Sequence, residues 1–296
     1  MVTVAKGEVS VGLDVGARSY EITPELIDDY MEALDDHHPW YTGSSPFGGP
    51  VAPALLFHSA VYRFGDWYLP NLYGNLHARQ EWDLFAPLKA GDRLTTRSII
   101  IDRYRKRGRD YVVNEVQLFA EVAGERGGRL LSRGRTHQSF LIDESKGELA
   151  VDKRREKAPA RRFEAGAGEF EEEIPPLEKT VTLEMCRRFS PGTNYHNDVD
   201  EAKKLGFPDI VVQGMMPICF LSELMTHRFG EGWYTGGRLS VNLVNVLWGA
   251  DGGVALRGVV REYTPEGDRR RAHCEVWAEK QDGTKIIVGT ASAVVP

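Results

Sequence analysis

The 296-residue chain predicts an α+β fold built twice, each copy an antiparallel sheet wrapped around one long apolar helix. Three observations predict it. A charged stretch divides the chain. The same order of elements occurs on either side of that stretch. Each half also ends in strand-like segments joined by turns, preceded by one long apolar segment.

The dividing stretch covers 144–178 and reads ESKGELAVDKRREKAPARRFEAGAGEFEEEIPPLE. It is charged, rich in Ala and Gly and poor in aliphatics, with a basic block before an acidic one. That is linker composition. It is too long for a structureless loop inside one compact domain, so it marks a boundary. The expected organisation is a first domain over 1–143, a linker over 144–178 and a second domain over 179–296.

In the first half, Thr23 caps a helix, Pro24 occupies its first turn and Glu25 follows. Leu26, Ile27, Tyr30, Met31 and Leu34 recur at helical spacing. The loop DDHHPWYTGSSPFGGP comes next, then the apolar run VAPALLFHSAVYRFGDWYL, broken mainly by His58 and Arg63. Such a run reads as a helix buried on all sides. Four strand-like segments close the half: LHARQEWDLFAPL, RLTTRSIIIDRYRK, YVVNEVQLFAEV and GRLLSRGRTHQSFLI. A turn at Arg107-Gly108-Arg109-Asp110 joins the middle two as a hairpin.

The second half repeats this order. A short helix spans Leu183 to Phe189, and the loop PGTNYHNDVDEAKKLGFPD follows. A long apolar helix runs from about Gln213 to Phe229. Strands follow in YTGGRLSVNLVNVLW, VALRGVVREY, RRAHCEVWAE and KIIVGTASAVV. One architecture occurring twice points to duplication and fusion. Two sheets joined edge to edge would also remove two exposed strand edges.

Composition excludes several classes. The apolar fraction is 42%, the charged fraction 27% and the net charge −6, which argues against nucleic acid as a partner. Cys186, Cys219 and Cys274 match neither a metal knuckle nor a redox pair and read as reduced, buried small hydrophobes. The N-terminus lacks a basic segment followed by an apolar one, so no signal peptide is expected. No apolar run approaches membrane-spanning length, so no membrane partner is expected and a cytoplasmic location follows by default. His58, His77, His137, His227 and His273 lie in helix- or strand-like segments, and no pair has metal-ligand spacing, so neither metal nor bound redox cofactor is expected.

The most informative stretch runs from Asn194-Tyr195-His196-Asn197-Asp198 through Ala202 and Gly206-Phe207 to Val211-Val212-Gln213-Gly214-Met215-Met216. It resembles the MaoC-like dehydratase family, which includes the R-specific enoyl-CoA hydratases. That signature is Asp-x-Asn-Pro-x-His, then x-Asp, an Ala, a Gly-Phe and a His-Gly-Met opening the central helix. The first half carries a weaker echo in Asp36-His37-His38-Pro39-Trp40-Tyr41, with His38 at the family Asn and Tyr41 at the family His. The resemblance spans nearly the whole chain and implies a double hotdog. It implies hydration or dehydration of 2-enoyl or 3-hydroxyacyl thioesters, with coenzyme A or acyl carrier protein as part of the substrate.

By that resemblance His196 is the general base or acid, Asn194 its polar partner and Gly214 an oxyanion donor. The chemistry needs these types. Water must be activated by a base, the α-carbon protonated by an acid, and the enolate-like oxygen met by N–H groups at a helix start. The sequence departs from the family at the acid, whose position falls on Gly192 or Pro191. Three readings stay open: His196 works with Asn194 alone, Asp36 supplies a carboxylate from the other half, or the site only binds.

Blander roles stand beside these. Asn194 serves equally as an Asx-turn residue, and Asp36 and His38 suit a turn before Pro39. Asp198 reads as a helix cap. Gly214 also permits tight packing, and Met215 and Met216 read as adaptable core. The basic run Arg103 to Arg109 reads as a solvated hairpin tip, with phosphate or acidic-carrier binding as the functional alternative. Phe57, Tyr62, Phe64, Trp67 and Tyr68 either narrow a pocket or fill the core. The alternatives to a hydratase are a non-catalytic acyl-thioester-binding module and a thioesterase using Glu223. Hotdog sheets usually pair further, so a homodimer of the fused units is expected.

Overall fold

The computed structural model describes residues 9–64, 76–121, 128–143, 148–149 and 164–296. In the first half the elements are β1 (Asp14–Glu21), α1 (Pro24–Leu34), β2 (Leu76–Leu84), β3 (Arg93–Lys106), β4 (Arg109–Ala120), β5 (Arg129–Asp143) and the two-residue β6 (Glu148–Leu149). The second half adds β7 (Glu172–Thr180), α2 (Leu183–Phe189), α3 (Val199–Lys204), α4 (Met215–Phe229) and α5 (Glu231–Gly236). It ends in β8 (Arg238–Leu243), β9 (Gly253–Glu266), β10 (Arg269–Glu279) and β11 (Lys285–Val295).

One continuous sheet runs β1-β3-β4-β5-β2-β8-β11-β10-β9-β7, with β6 beside β5. Its two halves have the same internal order: β1, β3, β4, β5, β2 correspond one for one to β7, β9, β10, β11, β8. Duplication is therefore written in the strand topology. The halves meet at β2 and β8, antiparallel from Arg79↔Asn242 to Asp83↔Arg238. Trp82 pairs with Leu239 and Gln80 with Val241 across this seam, and all four side chains are buried. Sheets that would each have exposed an edge cover one another there.

Local chemistry explains the elements. The Thr23 side chain accepts the Leu26 N–H at 3.2 Å, with Pro24 in the first turn of α1. Thr182 caps α2 in the same way. The β3–β4 hairpin turns on Arg107 and Gly108, with φ of 53° and 71°. Two positive φ values suit a two-residue turn matching the strand twist. Arg103 is tied to Asp110 at 2.8 Å and Arg109 is buried against Ser139, while Arg105, Lys106 and Arg107 remain exposed. Cys186, Cys219 and Cys274 are free and buried.

Three expectations need correction. Only the second half carries a long central helix among the described residues. Residues 51–64 instead wind through turns into a short 3-10 helix at Ala60–Arg63. Their backbone bonds close three residues back: Leu56 to Pro53, His58 to Leu55, Ala60 to Phe57 and Tyr62 to Ser59. Pro53 stands ahead of these turns, and its carbonyl accepts the first of the bonds. The His58 ring also contacts the Leu55 carbonyl, at 3.2 Å. In α4 a proline, Pro217, falls in the first turn, where no donor is needed. Trp67 and Tyr68 lie outside the described residues.

The second correction concerns 172–178, read above as linker. They form most of β7, which pairs with β9 from Glu172↔Val260 to Thr180↔Gly253. Composition misled because β7 is an outer strand, polar on its open side. Pro175 and Pro176 sit at its register shift between Ile174 and Leu177, where an edge strand tolerates them. The third is β1, an edge strand that carries few aliphatics and has a register shift between Asp14 and Gly16.

The core centres on α4. Every residue from Met215 to Thr226 is buried, so this stretch of the helix has no solvent face and needs no amphipathic stripe; only its last turn, at His227, is exposed. Each large aliphatic it buries contributes about 1.5–3 kcal/mol.

Candidate active site

The loop between α2 and α3 is built on its own side chains. Asn194 Oδ1 accepts the His196 N–H at 2.9 Å, an Asx turn. Asn197 Oδ1 accepts the Asn194 N–H at 3.0 Å, and its amide donates to the carbonyls of Ser190 and Gly192. Asp198 caps α3, accepting from the N–H groups of Asp200 and Glu201 at 2.9 and 3.0 Å. The loop is a rigid platform for His196.

Val211 clamps that platform from the other side. Its N–H donates to the Tyr195 carbonyl at 3.1 Å, and its carbonyl accepts from His196 Nδ1 at 2.7 Å. A carbonyl can only accept, so Nδ1 carries the proton and Nε2 holds the free lone pair. No hydrogen bond to Nε2 is formed by the described residues, and the ring is only partly buried. The Tyr195 ring packs on the imidazole at 3.9 Å between centroids. Packing on most sides pulls the His196 pKa down to about 4, and the Val211 carbonyl only partly offsets this. His196 is therefore neutral at physiological pH, with a basic nitrogen available.

Three residues beyond Val211, Gly214 opens α4 with φ −59° and ψ −21°. Any residue adopts those angles, so space is what selects glycine. A Cβ there would stand 2.4 Å from Leu243 Cδ2 and 3.6 Å from His77 Nδ1. At the start of α4 the Met216 N–H donates to the Gln213 carbonyl at 2.8 Å and Pro217 has no N–H, so Gly214 and Met215 carry the donors that face no acceptor within the helix. Gln213 Oε1, beside them, is buried without a partner.

His77, read above only as a strand residue, is the group that sequence reasoning missed. It comes from β2 of the first half and reaches the α4 start across the β2–β8 seam. Gln80 donates its amide N–H to the Glu81 carbonyl at 3.1 Å, which fixes Oε1 as an acceptor. That oxygen accepts the Thr136 hydroxyl at 2.8 Å and His77 Nε2–H at 3.0 Å. His77 Nδ1 is then the lone-pair nitrogen, 3.5 Å from the Tyr62 hydroxyl. Burial lowers its pKa to about 4. Nothing in a single sequence links His77 to Gly214; only strand pairing between the halves does.

Asp36 stands elsewhere. It follows the left-handed C-cap Asp35 of α1, and its Oδ2 accepts the Tyr41 hydroxyl at 2.9 Å. The two residues at the family's Asp and His positions in the first half are thus bonded to each other. Burial raises the Asp36 carboxyl, partly opposed by Tyr41 and Lys179. Its neighbours on α4 are Glu223 and His227. Glu223 is nine residues beyond Gly214, roughly 13 Å at about 1.5 Å per residue. The described residues form no bond between Asp36 and His196, so the rescue of His196 by this carboxylate lacks geometric support. Glu223 is itself buried against Lys179 at 2.8 Å. Burial and the nearby Asp36 charge nevertheless outweigh that ion pair and push Glu223 up to about 8.

The matches to known proteins agree with this architecture. Residues 10–129 match the family model described as the FAS1-like, dehydratase domain region. A solved MaoC-like dehydratase superposes with a TM-score of 0.71 at 18% identity, covering 96% of this chain and 98% of its own. The chain has the double-hotdog fold of the MaoC-like dehydratases. A second double-hotdog relative, the MaoC-like dehydratase from Phytophthora capsici, gives a TM-score of 0.69 at 15% identity and covers 99% of this chain and 98% of that one. A putative MaoC domain dehydratase from Chloroflexus aurantiacus J-10-fl gives 0.70 at 12%, covering 99% and 97%. At these identities the likeness concerns the double-hotdog fold. No curated protein matches the chain.

Proposed function

We propose that this double hotdog is a hydratase or dehydratase of 2-enoyl or 3-hydroxyacyl thioesters carried on coenzyme A or acyl carrier protein. The observation that carries the reading is the His196 imidazole: Nε2 is free, and Nδ1–H is anchored on the carbonyl of Val211, which lies three residues before Gly214 at the start of a buried helix. In hydration, Nε2 takes a proton from water as the water oxygen bonds to C3 of the enoyl group. The electron pair of the double bond moves toward the thioester oxygen, where the N–H groups of Gly214 and Met215 at the start of α4 stabilise it. The imidazolium, a strong acid given its low pKa, returns the proton to C2. Asn194 acts through the turn that orients His196, and Asp36 takes no part. His77 stands at the same helix start and is a second acid–base group within this reading. The outer edges of β1 and β7, unpaired among the described residues, are where further pairing into a dimer would occur.

Replacing His196 by Ala is expected to lower turnover by about 10²–10⁴, measured as crotonyl-CoA hydration at the enoyl absorbance. A loss under threefold with the fold intact removes His196 from the mechanism. One observation favours the binding-only alternative: the family acid position holds Pro191 or Gly192. Saturable binding of acyl-CoA across several chain lengths, with no turnover of any of the corresponding enoyl-CoAs, would establish it. The thioesterase reading loses support, because Glu223 is buried and held by Lys179.

A further inference from the structure

A second cluster lies beside the C-terminal half of α4, on residues the proposed hydration does not use. Asp36, Glu223 and His227 each offer one ligand atom, and these atoms lie within 4.8 Å of one another. Glu223 and His227 are one helical turn apart and share a face of α4. Asp36 arrives from the first half.

The carboxylates are only 2% and 5% exposed. Each keeps one oxygen buried without a partner, Asp36 Oδ1 and Glu223 Oε2. The remaining oxygen of each is already held. Tyr41 donates to Asp36 Oδ2 at 2.9 Å, and Lys179 Nζ stands 2.8 Å from Glu223 Oε1. Lys179 also donates to the carbonyls of Leu34 and Asp35. Ionised together, the two carboxylates would face one ammonium in a buried place, which is costly without a further cation.

We infer that Asp36, Glu223 and His227 form a binding site for one divalent transition-metal ion, best suited to Zn²⁺. Two carboxylate oxygens and one imidazole nitrogen are a donor set that zinc accepts, and the imidazole disfavours Mg²⁺ and Ca²⁺. The partners of the other oxygens fit the same purpose. Tyr41 and Lys179 fix each carboxylate in one orientation, as outer hydrogen bonds do around metal ligands. Ligand bonds of about 2.0–2.2 Å require the three atoms to draw slightly closer. His227, the exposed member, can swing to achieve this, and its side leaves the remaining positions open to water. The site joins the two halves of the chain, so occupancy would brace α1 against α4.

The test uses the full chain, stripped with chelator and titrated with ZnCl₂ by calorimetry. Bound metal is counted after desalting, and thermal unfolding is followed in parallel. One equivalent of zinc and a raised melting midpoint are expected. His227→Ala, a surface change, should weaken binding at least tenfold, and Asp36→Asn or Glu223→Gln should do the same. Absence of saturable uptake would overturn the site and leave the carboxylates as a pair sharing a proton. Uptake that survives all three substitutions is adventitious surface binding and overturns it equally. Neither outcome depends on enoyl-thioester turnover.

Discussion

Three histidines, His58, His77 and His196, are held neutral by burial, each with its pKa lowered to about 4. An unfolded histidine titrates near 6.5. Between those values the unfolded chain binds more protons than the folded one, so stability rises with pH there. The stabilisation is complete above about 6.5 and is lost as pH falls toward 4. Melting midpoints should decline as pH falls through this window, and they should also fall as pH rises toward 8, where the folded chain loses the proton that Glu223 holds with its pKa raised to about 8. His58, fully enclosed and stacked on Phe189 at 4.4 Å, is linked to as much as about 3 kcal/mol. His58→Gln should flatten part of the decline. The same arithmetic places the acid limb of kcat/KM below 6 and toward 4, because His196 keeps its lone pair down to that range. A limb near 6.5 would mean that the ring is solvated. Gly214→Ala tests the helix start: its methyl meets Leu243, so turnover should drop, and adding Leu243→Ala should recover part of the loss.

At the scale of elements, the two halves differ in how one apolar run winds. Residues 215–229 form the long α4, whereas 54–63 wind through turns into a 3-10 helix. The long helix of the second half therefore carries the central packing. Leu221 and Leu224, at 0% and 2% exposure, should each cost about 2–5 kcal/mol when cut to Ala, read from denaturant unfolding. The β3–β4 hairpin depends on positive φ at Gly108. Gly108→Ala should cost about 1 kcal/mol without touching the site, with unchanged turnover as the control.

At the scale of the molecule, the β2–β8 seam makes one sheet from two and brings His77 to Gly214. Cutting the chain there leaves β8 with unpaired N–H and C=O groups along its length. A fragment of residues 164–296 should associate on size exclusion into more copies per particle than the full chain at the same concentration. A monodisperse, monomeric fragment would show that the second half is closed without its partner. No helix among the described residues is long and apolar enough to cross a membrane.

The sequence by itself determined the duplicated element order, the caps at Thr23 and Asp198, the α2 span and the resemblance around His196. These are local: capping chemistry, hydrophobic period and motif spacing act within a few residues of each other. It did not show β1 and β7, because edge strands with a wet face and bulges lack a strong apolar pattern. It overcalled a helix at residues 51–64, because apolar content does not report whether backbone bonds close three or four residues back. Tertiary structure alone decided the partners of the site residues. Asp36 went to Tyr41, Glu223 and His227, and His77 went to the α4 start. Tyr41 is a local partner, five residues along the same loop, but Glu223, His227 and the α4 start lie in the other half, and only sheet pairing and helix packing bring them to Asp36 and His77.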